Sequence, residues 1–135
     1  MADTITLTHG IVPQSKTLSV LRVKGFDDAD EVEYHNVFQN TSDDGTIYEY
    51  ADGYRRIITV DFGVIQNKID RIFLHDFVRA RNTKKISYGN ESNLAVVLHD
   101  MEGFSNEWID DVEVAKNYVL RLKEKNLRTV NPSYW

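Results

Sequence analysis

Three observations along this chain predict an α+β fold, mainly antiparallel strands with one flanking helix. Thr46 to Ala51 and Tyr54 to Phe62 both alternate apolar and polar residues, on either side of an Asp52-Gly53 pair. That dipeptide supplies the backbone dihedrals of a tight hairpin. Beyond Gly63 the period lengthens: Ile65, Ile69, Ile72, Phe73 and Phe77 recur at helical spacing, which predicts a helix over residues 66–81. Leu94, Val96 and Leu98 then alternate again. The strands are expected to form a β-barrel or sandwich, and the 135 residues a single domain over 1–135.

The remaining elements follow in order. Ile5 and Leu7 alternate with Thr4, Thr6 and Thr8 as a short strand, broken at His9-Gly10 and Pro13-Gln14-Ser15. Leu18, Val20, Leu21 and Val23 form the next strand, and apolar residues of both phases suggest burial from two sides. After an acidic turn, Val32, Tyr34 and Phe38 share one face of a third strand, with Glu33 and His35 opposite. Thr41 to Gly45 is a loop. On the longer hairpin strand Ile58, Val60 and Phe62 face the core while Arg55, Thr59 and Asp61 face away. Ile86-Ser87-Tyr88 leads into a Gly89-Asn90 turn. Trp108, Ile109, Val112, Ala115, Val119 and Leu122 can be read as a helical stripe, yet Tyr118, Leu120 and Leu122 also alternate. The β-branched and aromatic content near Tyr118 favours a strand from Asn117 to Lys125. The aromatic ending, Pro132 to Trp135, suits docking on a surface.

Composition narrows the function classes. With 41% hydrophobic and 11% aromatic residues the chain can build a packed core. No apolar run approaches the roughly 20 residues of a spanning helix, so no membrane role is expected. Met1-Ala2-Asp3-Thr4 has neither the basic start nor the apolar stretch of a secretory signal. Zero cysteines remove disulfides, thiolate metal sites and cysteine nucleophiles. A net charge of −5 argues against direct nucleic-acid binding, which relies on a basic face.

Candidate chemistry is sparse. His35, His75-Asp76 and Asp111 follow the order of ligands in metal-dependent HD phosphohydrolases, which would make a divalent-metal hydrolase. His35, however, lies in a strand-like run, whereas those enzymes hold their ligands on helices. His99-Asp100 are neighbours on a strand and point to opposite faces. The acidic residues 27–33 lack the Asp-x-Asp-x-Asp-Gly spacing with a distal Glu of a calcium loop. Neither a Gly-x-Ser-x-Gly elbow nor a phosphate-cradling glycine loop is present. The Asp43-Asp44 and Asp110-Asp111 pairs sit in polar surroundings, where adjacent acids stay solvated. No enzyme activity, cofactor, metal or small-molecule substrate is expected. A binding module remains the main rival, with a cavity lined by Tyr34, Tyr48, Tyr50 or Phe62.

Charge is segregated along the chain. Residues 27–33 and 100–113 are acidic; 79–85 and 121–128 are basic. Contacts are therefore expected at Asp27, Asp28, Asp30 and Glu31, and at Arg79, Arg81, Lys84 and Lys85, where an acidic edge of one copy meets a basic edge of the next. Several phrases carry a resemblance: the run from Gly53 to Gly63 with the helix after it, Ile86-Ser87-Tyr88-Gly89, Glu107-Trp108-Ile109-Asp110, and Asn117 to Glu124. From Thr46 onward the chain resembles small structural proteins of tailed-bacteriophage tails and baseplates. That resemblance implies a β-barrel or sandwich with one helix, assembling into a ring with copies of itself and other tail proteins. It also implies a place in the virion, after assembly in the host cytoplasm, and it carries over no catalytic residue.

Overall fold

The computed structural model describes residues 3–27, 30–35, 38–50, 53–102, 106–109 and 112–129. In chain order these form β1 (Asp3–His9), β2 (Gln14–Val20), β3 (Arg22–Lys24), β4 (Val32–His35), β5 (Phe38–Thr41), β6 (Ile47–Tyr50) and β7 (Gly53–Ile65). Then come α1 (Lys68–Arg79), β8 (Lys85–Tyr88), β9 (Glu91–Glu102), β10 (Asn106–Ile109), β11 (Val112–Glu124) and β12 (Arg128–Thr129). The fold is predominantly antiparallel sheet with one helix, as the alternation and the single helical run predict. The strand expected at 117–125 is real and extends back to Val112.

Hydrogen bonding follows the order β12-β7-β11-β9-β8-β1-β2, with β3 and β4 also on β7 and β10 on β11. This path stops at β2 and does not close, so the barrel expectation is not met. The cause lies at Leu21. β2 pairs with β1 as far as Val20, and then the chain crosses to β7, where Leu21 N donates to Asp61 O at 2.8 Å and β3 begins. Leu18 and Val20 are buried while Leu21 is exposed, and Val23 packs on the core from the next phase. The mixed apolar pattern thus records a change of phase at a crossing, not burial from two sides.

The neighbouring strands shift at the same level. Gly63 has φ 65° and donates its N–H to the Asp61 side chain at 2.9 Å. Opposite it, β11 slips register on both sides of Tyr118. Phe62 and Ile65 both reach the core because this bulge inverts the alternation between them. Tyr118 is fully buried and meets the Phe62 ring edge-on at 5.6 Å. Around this bend one core gathers Ile5, Leu7, Leu18, Ile58, Val60, Ile86, Val96, Leu120 and Leu122 with Leu74 and Phe77 of the helix. Burying each such side chain contributes about 1.5–3 kcal/mol before entropy is charged against it.

The predicted hairpin across Asp52-Gly53 has no β6–β7 pairing among the described residues, and Asp52 itself lies outside them. β6 pairs with β5, its partner across the 42–46 loop, whereas β7 pairs with β3, β4, β11 and β12. Gly53 is required for a different reason: a Cβ there would lie 2.6 Å from the Arg128 carbonyl oxygen. The expected third strand is likewise two elements, β4 and β5, in separate sheets. Gly25 ends β3 at φ 110°, and a Cβ there would stand 2.1 Å from Ile57 O, inside contact distance.

Helix α1 is shorter than the expected 66–81. Asn67 caps it by accepting from Ile69 N at 2.8 Å, and Ala80 closes it by donating to Asp76 O and Phe77 O. Its buried face is Arg71, Leu74 and Phe77. Ile69 and Ile72, assigned to the core by spacing, are 67% and 51% exposed. The helix is rotated away from the stripe its isoleucines suggest.

Candidate functional site

Two kinds of polar arrangement emerge, one spent on the fold and one left at the surface. The first centres on Arg56, which occupies the inward phase of β7 with Ile58, Val60 and Phe62. Its backbone N and its Nε donate to Glu124 Oε1 at 2.9 and 3.1 Å. One terminal nitrogen donates to Phe26 O at 2.6 Å and the other to Glu91 at 3.0 Å. Arg128 Nε also donates to both Glu124 oxygens, at 2.8 and 2.9 Å. Burial pushes the Glu124 carboxyl up, but the hydrogen bonds from Arg128 and Arg56 outweigh it and hold it below the usual range. A buried carboxylate so fully paired is a structural clasp joining β7, β11 and β12. Spacing alone missed it. The available signal was an arginine in the core-facing phase of a strand, which demands a buried acid.

Sequence-predicted contact residues divide between these two kinds. Glu31 pairs with Arg121 at 2.5 Å, and the same arginine donates to Asp100 at 2.8 Å. Those hydrogen bonds raise the Arg121 pKa. Asp30 accepts from Gly25 N at 2.9 Å and donates its own N–H to Asp27 O at 3.0 Å. The acidic turn is therefore largely bonded within its own chain. Asp28 lies outside the described residues. Lys84 is only 8% exposed and donates to Ala80 O, beyond the helix end; burial pushes its pKa down. An outward contact at Lys84 is thus corrected to an inward one. Arg79, Arg81 and Lys85 stand exposed.

The rival chemistries fare as follows. Among the described residues no three His, Asp or Glu gather to hold a metal ion. His35 is exposed on β4, His75 and Asp76 lie on α1, and Asp111 is outside the described residues. Of the four aromatics, only Tyr34 and Phe62 have described side chains, and they lie apart: Phe62 borders a cleft and Tyr34 does not. Tyr34 is exposed beside Tyr54 at 6.3 Å, and the Tyr48 and Tyr50 side chains lie outside the described residues. The cleft that Phe62 borders, of about 320 Å³, lies between β2, the end of β7 and the first turns of α1. Thr17, Ser19, Gln66, Asn67 and Asp70 supply its polar lining, and Lys16 Nζ reaches Asp70 at 3.0 Å. No described helix is long and apolar enough to cross a membrane.

What remains at the surface is apolar and unpaired strand. Ile11, Val12, Leu21, Ile47, Val64, Ile69 and Ile72 are all exposed. The outer edge of β2 pairs with no described strand. β5 and β6 pack on each other, and on no other element to a comparable extent. No family model, no curated protein and no solved structure matches this chain.

Proposed function

We propose that this chain is a structural subunit of a phage tail or baseplate, or of a related injection apparatus, assembling into a ring with copies of itself. Its sheet would fold over as a sandwich, with lateral contacts made by strand edges and charged loops. One observation carries this reading. Helix α1 buries Leu74 and Phe77 while turning Ile69 and Ile72 outward, 67% and 51% exposed. A helix with isoleucines on its outer face is suited to packing against another chain. The exposed Arg79, Arg81 and Lys85 at its far end are free to meet acidic surfaces.

Sedimentation of the full chain tests the reading. Assembly is expected to rise with concentration, weaken between roughly 0.1 and 1 M salt, and be lost in Ile69→Lys with Ile72→Lys. A sharp monomer throughout would sink it. The cleft beside Phe62 is the observation favouring a second reading, a small-ligand or peptide-binding module. Saturable chemical-shift changes confined to Thr17, Phe62 and Asn67 in a monomer would support that instead.

A further inference from the structure

The hairpin β5–β6 and the free edge of β2 are two halves of one contact, and the geometry points to their meeting between copies of this chain. Resting on the assembly reading above, the inference is that the arm of one copy adds to the β2 edge of the next. An isolated two-stranded hairpin is marginal in water. Among the described strands this one pairs only with itself, which leaves its outer edges open to a neighbouring copy. The β2 edge is the counterpart: from Gln14 to Val20 its backbone pairs, among the described strands, with β1 alone. Free edges of this kind accept an added strand, main-chain bonds giving affinity and side chains giving choice.

Charge identifies the occupant. Residues 38–50 carry Asp43, Asp44 and Glu49 and no Lys or Arg. Residues 14–24 carry Lys16, Arg22 and Lys24 and no Asp or Glu. Docked antiparallel, β6 would run back along β2 and bring the acidic tip toward Arg22 and Lys24, both exposed. Asp44 stays ionised well into acid: hydrogen bonds from Ser42 and Thr46 hold its pKa down to about 2. Ile47, 62% exposed on the arm, would then come beside the exposed Leu21. The same chain thus carries both complementary surfaces at different places. Such a contact is heterologous and repeats into a ring or stack.

The absence of cysteine makes the experiment clean. An Ile47→Cys variant is mixed with a Ser19→Cys variant under mild oxidation, and products are counted by mass spectrometry. The mixed disulfide is expected about tenfold faster than either self-pairing, because docking raises the effective concentration of the two thiols. In parallel, Asp43→Lys with Asp44→Lys should dissociate the assembly, and adding Arg22→Glu with Lys24→Glu should restore it. If the wild type assembles but mixed and self disulfides form equally, or the reversed arm assembles unchanged, the arm contact is wrong and the ring reading stands. If the wild type is a monomer at every concentration, both fall.

Discussion

Strands β7 and β11 and the arm β5–β6 are both antiparallel, yet they differ in what holds them. β7 is bonded on both edges, buries Ile58, Val60 and Phe62, and is clasped to β11 by Arg56 and Glu124. The arm has one ladder and an exposed tip in which Asp44 bonds Ser42 and Thr46 N. The contrast is one of support: β7 has ladder partners on both edges, whereas among the described strands β5 and β6 have only each other. Segments held by few partners are where interaction surfaces are commonly drawn from, and the arm has one described ladder.

Substitutions on the β7 side should have the largest effects. Gly25→Ala is expected to cost about 4 kcal/mol or more, since positive φ and collision with Ile57 O act together. Chemical denaturation would show a midpoint barely changed if this close approach did not matter. Next, Glu124→Gln removes the buried carboxylate shared by Arg56 and Arg128, leaving Arg56 only the half-exposed Glu91, and should cost roughly 3 kcal/mol. The same clasp sets an acid limit. Because the Glu124 pKa is depressed in the folded state, its contribution is present above the ordinary carboxylate value and lost as pH falls through the lower folded one. The wild type should therefore lose more stability on acidification than Glu124→Gln does. Parallel acid titrations followed by circular dichroism would refute the clasp by superimposing.

Smaller effects sharpen the comparison. Asn67→Ala removes the cap of α1 and should lower stability by about 1 kcal/mol, read as a fall in melting temperature. Ile47→Ser, on the arm, should stay within about 0.5 kcal/mol in the monomer. A larger loss would mean that the arm packs on its own domain and that the contrast is false.

Much of the strand content was legible because period-2 alternation reports a half-buried ladder wherever its phase holds. Ile5–Leu7, Ile58–Val60–Phe62 and Leu120–Leu122 were readable for that reason. Legibility failed where phase changed. Leu21 and Gly63 each invert it, and nothing local distinguishes such a bulge from a strand buried on both faces. At the candidate surface Arg79, Arg81 and Lys85 are exposed, whereas Lys84 turns inward and Glu31 is taken by Arg121. A charge run reports composition and not which members have internal partners.

By itself, then, the sequence determined the local matters: the strand class, the helix, a loop after Thr41 and the turn at Gly89-Asn90. Each follows from dihedral preference and from periodicity within a dozen residues. Only the tertiary structure decided that β6 would leave β7 for β5, that α1 would bury Arg71 in preference to Ile72, and that Arg56 would find Glu124 sixty-eight positions away. Those choices depend on which distant surfaces are available when the core closes, and non-local competition of that kind leaves no mark on neighbouring residues.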